Sequence, residues 1–203
     1  MQVNIGLPAT IRNRGFTLLE LLVVLSVILL LGGFALHGIT EQTQKQHMDG
    51  LQKAFMSLLL SARNAAVVQR VEVIVCPIRT QRRAMLDAST CGKRNEWHLG
   101  VMAFTDHNSN RKPDANDTVI GQLAGFKNAT VRWRAFRNRS YLRFTAQGLT
   151  DWQNGNFLFC STPVTAELTR QITLNYAGRL YAAKDRDRDG IYENQNGKQL
   201  QCD

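Results

Sequence analysis

The chain of 203 residues has none of the short signatures that mark the common catalytic sites. HExxH, a phosphate-cradling glycine loop and CxxC are all missing, which argues against zinc-hydrolase, nucleotide and thiol-redox chemistry. The four histidines, His37, His47, His98 and His107, are scattered. None stands with a serine or cysteine in a nucleophile motif. The expectation is a protein that is not an enzyme. Other absences are local. No charge of either sign lies between Leu21 and Leu36, and no acid lies between Phe126 and Phe144. After Arg70 no helical periodicity of useful length recurs.

What is present is unevenly spread. Hydrophobic residues make up 44% of the chain, yet the mean hydropathy is only −0.24. The apolar residues are therefore unevenly placed, and their longest uninterrupted run lies before residue 40. The formal net charge of +9, with an isoelectric point near 9.8, favours polyanionic partners: nucleic acid, anionic lipid or acidic surfaces. The four cysteines are Cys76, Cys91, Cys160 and Cys202. An even number beyond the apolar segment fits disulfides in an oxidising compartment. Three pairings are open. Cys76 with Cys91 and Cys160 with Cys202 close the shortest loops.

Phe16 to Ile39 is apolar and, at about 1.5 Å per residue, long enough as a helix to cross a hydrocarbon core of about 30 Å. Arg12 and Arg14 precede it and hold that end in the cytoplasm, so the remainder is exported. The run is too long for a cleaved secretory signal, and Gly33–His37 makes a poor cleavage site. A plain signal anchor leaves Glu20 unexplained. A lone carboxylate in a membrane helix costs about 2.5–3.5 kcal/mol, less near the interface, and needs a partner.

The stretch "RGFTLLE" supplies one. It resembles the class III signal of type IV prepilins. The resemblance implies that a prepilin peptidase cuts after Gly15 and methylates the new amino terminus at Phe16. It further implies that Glu20 pairs with the α-amine of Phe16 in a neighbouring subunit, so that the carboxylate sets the register of assembly. Many members carry a proline where this chain has His37. Here Gly32-Gly33 is the candidate weak point, since a mid-helix glycine costs about 1 kcal/mol relative to alanine.

Thr40 to Arg70 is expected to continue the helix. Leu51, Phe55, Leu58, Ala62 and Ala65 recur at helical spacing as a core-facing stripe. The earlier part, "EQTQKQHMDG" (Glu41–Gly50), is polar all round and is expected to cross the membrane surface. Period-two segments follow at 71–76, 96–104, 118–123, 129–136, 140–145, 155–160, 170–176 and 178–183, all expected as antiparallel strands. The fold class is α+β and pilin-like: a long N-terminal helix, transmembrane in its first half, packed on an antiparallel β domain. The expected organisation is a cleaved leader 1–15, a transmembrane and assembly helix 16–39, its periplasmic continuation 40–70, and a periplasmic β domain 71–203.

Residues 55–183 resemble the GspH/FimT group of minor pilins and pseudopilins. The matching segments are "LLLSARNAAVVQRVEVIVC", "GVMAFTDHNSNRKPDAND", "FTAQGLT", "GNFLFC" and "ITLNYAGRLY". The four cysteines tilt the likeness toward the FimT/FimU minor pilins of type IV pili. Three functions stay open. The first is a structural subunit of a type IV pilus priming or tip complex. The second is the H-type pseudopilin of type II secretion, and the third is a DNA-binding minor pilin of natural transformation. The implied partners are the other minor pilins, the major pilin, the prepilin peptidase and the assembly platform of the inner membrane.

Two further patterns bear on binding. "FKNATVRWRAFRNRSYLRF" (Phe126–Phe144) is basic and aromatic. Arg132 and Arg134 share one strand face while Val131 and Trp133 take the other. With Arg137, Arg139 and Arg179, they form a candidate DNA-binding set. DNA-binding relatives carry Gly-Arg-x-Arg at the hairpin where this chain has Gly178-Arg179-Leu180-Tyr181, without the second arginine. "DRDRDGIYE" begins as a calcium loop does, with Asp185, Asp187, Asp189 and Gly190, and Glu193 in place to close it. The alternative is a solvated polar turn. Asp106, Asn108, Asn110, Asp114 and Asp117 form a second, weaker cation-loop pattern, with Arg111 where the turn glycine belongs. Asx turns account for it.

Overall fold

A computed structural model describes residues 15–78, 90–137 and 139–202, with side chains described outside 32–40. One helix, α1 (Leu18–Gln69), begins at Thr17, whose hydroxyl accepts the Glu20 amide at 3.2 Å. The helix runs through Gly32-Gly33 and Gly50 without interruption. It stops at Arg70, which takes a left-handed φ of 53°, while the Val71 amide reaches back to the Ala66 carbonyl at 3.3 Å. That is a Schellman termination with arginine in the position glycine usually takes.

The chain divides into two compact units, Met1–Gln42 and Thr43–Asp203. In the first, every described side chain from Gly15 to Leu31 is exposed. Among the described residues no helix is long and apolar enough to cross a membrane. The last third of the expected Phe16–Ile39 span, with His37, falls on the undescribed side chains. The leader before Gly15 also lies outside the described residues.

Among the described residues, the second unit holds eight strands in two antiparallel sheets. β1 (Glu72–Pro77), β2 (Gly100–Asp106), β3 (Val119–Ala124) and β5 (Leu142–Phe144) form the first, in the order β3-β2-β1-β5. β4 (Ala129–Ala135), β6 (Gly155–Ser161), β7 (Arg170–Leu174) and β8 (Leu180–Ala182) form the second, in the order β4-β6-β7-β8. Phe55, Leu59, Ala62 and Ala66 of α1 pack with Val73 and Val75, Val101 and Ala103 from one sheet. The same face packs with Val131, Trp133, Phe157, Phe159 and Ile172 from the other. Phe157 is the hub. Its ring lies 4.1 Å from Trp133, 4.7 Å from Phe55 and 5.0 Å from Trp97.

Two expectations are corrected. The strand expected from Glu96 begins only at Gly100, because Trp97–Leu99 form a 3-10 turn that puts the Trp97 ring into the core. The segment expected to be polar all round is not so at its end. Met48 is buried, and His47 lies 3.3 Å from the Lys127 carbonyl. Asp49 pairs with the buried Arg170 at 2.5 Å. A charged helix turn packs on the domain because that domain supplies a buried guanidinium.

Each sheet carries a second, smaller cluster on its outer face. Ile74, Cys76, Ile78, Met102 and Phe104 form one, closed by the Cys76–Cys91 disulfide. Leu158, Cys160, Ala183 and Leu200 form the other, closed by Cys160–Cys202. Cover on both faces explains why "VIVC" in β1 is continuously apolar rather than alternating. Arg63 of α1 provides a different tie. Its Nε donates to the Gly148 carbonyl at 3.1 Å and its Nη2 to the Ala177 carbonyl at 3.2 Å. Gly178, at φ 72°, lies so close that a Cβ there would sit 2.1 Å from the Gly148 oxygen.

Two outcomes follow from these ties. Arg63→Ala leaves two turn carbonyls without their charged donor and should lower stability by about 2 kcal/mol, seen as a fall of about 4–8 °C in thermal midpoint. Replacing Cys160 and Cys202 by serine releases a loop of 42 residues and should cost about 4 kcal/mol in denaturant titration.

Candidate functional site

The start of the helix, where Glu20 lies, is locally simple. Thr17 and Glu20 stand at capping-box spacing, and the Glu20 amide bond to Thr17 forms half of that box. A carboxylate in the first turn is favoured by the helix dipole. Capping alone, however, leaves Glu20 exposed amid Phe16, Leu18, Leu19, Leu21 and Leu22, which are exposed as well. An apolar surface of this extent needs cover from outside the chain.

The cationic residues separate into three groups. Arg132 and Arg134 leave the outward face of β4, opposite the buried Val131 and Trp133. With Arg94, Asn95 and His98 they line a cleft of about 480 Å³ that contains no acid. Arg134 sits in register with Asn156, Thr173 and the exposed Tyr181 across the second sheet. Three strand spacings put Tyr181 about 14 Å from Arg134 on the same face. Arg137, Arg139 and Arg179 form the second group, exposed just beyond the strand ends on that side. Near them stand Phe136, exposed, and a half-exposed aromatic pair, Trp152 and Tyr176, with ring centroids 5.0 Å apart. The Arg137 amide donates to the Trp152 carbonyl at 3.2 Å, which fixes that neighbourhood. Sequence reasoning missed Trp152, Tyr176, Arg94 and His98, since each is separated along the chain from the basic strand it joins.

Arg143 belongs to the third group, and its charge is consumed internally. Its Nη1 pairs with Glu72 at 3.0 Å and its Nη2 with Asp151. Burial works against its charge, but the hydrogen bond to Asp151 and the field of Glu72 and Asp151 outweigh it, and its pKa is raised. Arg143 therefore ties β1 to β5 and the following turn, and takes no part in a cationic surface.

The two acidic loops differ in how their carboxylates are satisfied. In the first, Asp106 accepts the amides of Asn110 and Arg111 at 3.1 and 2.9 Å. Asp114 accepts the side-chain amides of Asn108 and Asn110 at 2.7 and 3.2 Å. The backbone hydrogen bond from Asn116, then those from the asparagines, hold the Asp114 pKa below its usual value. Amide groups thus occupy the place a cation would take. In the second loop, Asp185, Asp187, Asp189 and Glu193 bring one oxygen each to within 4.8 Å of one another.

Comparison with known proteins gives the family. No curated protein sequence matches the chain. Two crystal forms of the type IV minor pilin FimU of Pseudomonas aeruginosa are similar in structure. One shares 18% identity over 79% of this chain and 92% of FimU at a TM-score of 0.46. The other shares 19% over 70% and 92% at 0.45. A model of the prokaryotic N-terminal methylation motif matches residues 11–36, across Gly15, Phe16 and Glu20. The model described as type II transport protein GspH matches residues 52–178, from the core-facing part of α1 through β7. That match spans more than half of the chain, and the chain belongs to the GspH family.

Proposed function

We propose that this GspH-type minor pilin or pseudopilin is a structural subunit of a type IV pilus, placed in its priming or tip complex. Prepilin peptidase cleaves it between Gly15 and Phe16 and methylates Phe16. Before assembly it spans the inner membrane once through Phe16–Ile39, with its β domain in the periplasm. Assembly then docks that helix among other minor pilins and the major pilin, and Glu20 meets the α-amine of a neighbouring Phe16. The observation that carries this reading is the uniformly exposed apolar surface of Phe16–Leu31 around one carboxylate. The match of the methylation motif supports it. The two disulfides favour the pilus over the H-type pseudopilin of type II secretion, the reading that the family description supports.

Mass spectrometry of the purified protein should find a mature chain beginning at Phe16 and heavier by one methylene. Glu20→Ala should leave the level in the membrane unchanged and abolish recovery in sheared filaments. An intact leader, or normal incorporation of the variant, would overturn the reading. Deletion should remove surface pili. Loss of exported enzymes with pili intact would favour the secretion machine instead.

A second reading rests on the exposed Trp152–Tyr176 pair and Phe136 beside Arg137, Arg139 and Arg179. Aromatic rings flanked by guanidinium groups suit a nucleic-acid strand, with bases stacked and phosphates neutralised. A mobility-shift titration of the full chain in detergent at two salt concentrations tests it. Arg134→Ala with Arg179→Ala should weaken binding and flatten its salt dependence. Unchanged binding would remove DNA as a ligand of this face.

A further inference from the structure

The loop between β8 and the C-terminal segment is built around a gap in its own hydrogen bonding. Asp185 accepts the Arg188 amide at 2.7 Å through Oδ1 and the Gly190 amide at 3.0 Å through Oδ2. Asp187 Oδ1 accepts the Asp189 amide at 3.3 Å. Asp189 accepts the Ile191 amide at 2.7 Å and the Gln199 side chain at 2.9 Å. These bonds orient the carboxylates and leave a convergent set of oxygens. Glu193 is fixed differently. Its backbone pairs with Lys184 on one side and Gln199 on the other, and its Oε2 accepts the Arg186 amide at 2.9 Å. Its Oε1 is buried and has no hydrogen-bond partner among the described residues, and the residue is only 5% exposed.

A buried carboxylate oxygen without a donor is unfavourable, and so are four negative charges gathered within 4.8 Å. Among the described residues no lysine or arginine forms an ion pair with any of the four. The three neighbouring cations, Lys184, Arg186 and Arg188, are exposed. Both costs vanish if one hard cation sits among the oxygens.

We propose that Asp185, Asp187, Asp189 and Glu193 bind a single calcium ion. The ligands are all oxygens, as a hard cation requires. The oxygens all lie within 4.8 Å of one another, the reach of ligands on one ion at about 2.4 Å, and four carboxylates on a loop suit calcium, whereas magnesium is usually held through one or two carboxylates and keeps several waters. The site is not a helix–loop–helix hand. The twelfth position, where such a loop places its bidentate glutamate, is Asn196. Glu193 closes the loop early, and the bridges to Lys184 and Gln199 replace the flanking helices as its support. The ion also reaches the rest of the domain. Tyr192, next to Glu193, lies with its ring 3.7 Å from the Arg170 guanidinium, which holds Asp49 of α1. Closing the loop therefore fixes the C-terminal segment over the outer face of the second sheet and onto the helix.

The test uses the full chain in detergent, stripped of divalent ions by a chelator. Terbium is the probe, its emission sensitised through Tyr192. We expect saturable binding of one terbium ion, displaced by calcium at concentrations at least tenfold lower than by magnesium. Asp187→Asn removes one charge from an exposed position and keeps the acceptor for the Asp189 amide, so it leaves the fold intact; it should weaken calcium binding at least tenfold. Glu193→Gln should weaken it further. No saturable terbium signal in the unaltered chain would overturn the proposal. Unaltered calcium affinity in Asp187→Asn would also overturn it, whatever Glu193→Gln does, since that residue is buried.

Discussion

Two sheets that share no strand are joined by one face of one helix. Phe55, Leu59, Ala62 and Ala66 lie between them, and the aromatic rings around Phe157 fill the space that remains. Burial of a large aromatic side chain contributes about 1.5–3 kcal/mol, and favourable ring pairs add about 0.5–1.5 kcal/mol. Among the described residues no hydrogen-bond ladder joins them, since no strand of one sheet pairs with a strand of the other. The helix is thus a structural partner of the domain in its second half, while its described side chains from Phe16 to Leu31 are exposed. One element thus belongs to both compact units, which divide at Thr43.

The two roles use charge in opposite ways. Within the domain, charged groups are matched internally: Arg170 with Asp49, and Arg143 with Glu72 and Asp151. Among the described residues Glu20 shows no such ion pair, only its amide bond to Thr17. The acidic loops repeat the contrast. The loop at Asp106–Asp117 is satisfied by its own asparagines, while the loop at Asp185–Glu193 keeps an oxygen that no described residue serves.

The helix and the eight strands are legible in the sequence, because each follows from spacing along a continuous stretch; the cysteines are legible as disulfide-forming, while their pairing stays open until the fold brings Cys76 to Cys91 and Cys160 to Cys202. The period of two survives in β4, where Arg132 and Arg134 alternate with Val131 and Trp133. It fails at Glu96–Leu99, where one tryptophan finds a better place in the core than a strand would allow. Long-range pairing was not legible. Nothing near Arg143 in the sequence points to Glu72, and nothing near Trp152 points to Tyr176. The acidic loop was readable as a pattern of types. The unserved Glu193 oxygen depends on burial beneath a segment that folds back from the C-terminus, which no local spacing encodes.

The Arg63 tie has a consequence for how such a chain can vary. One guanidinium reads two turns at once, and the Gly148 carbonyl can approach Gly178 so closely only because Gly178 carries no Cβ. The three positions lie in separate stretches of the chain, yet none can drift alone. A substitution at Gly178 strains a contact with Gly148, and a change at Arg63 frees both turns. They form one unit of inheritance within a domain whose exposed faces are otherwise open to change, and a search for coupled substitutions in relatives would meet them as a triplet rather than as pairs.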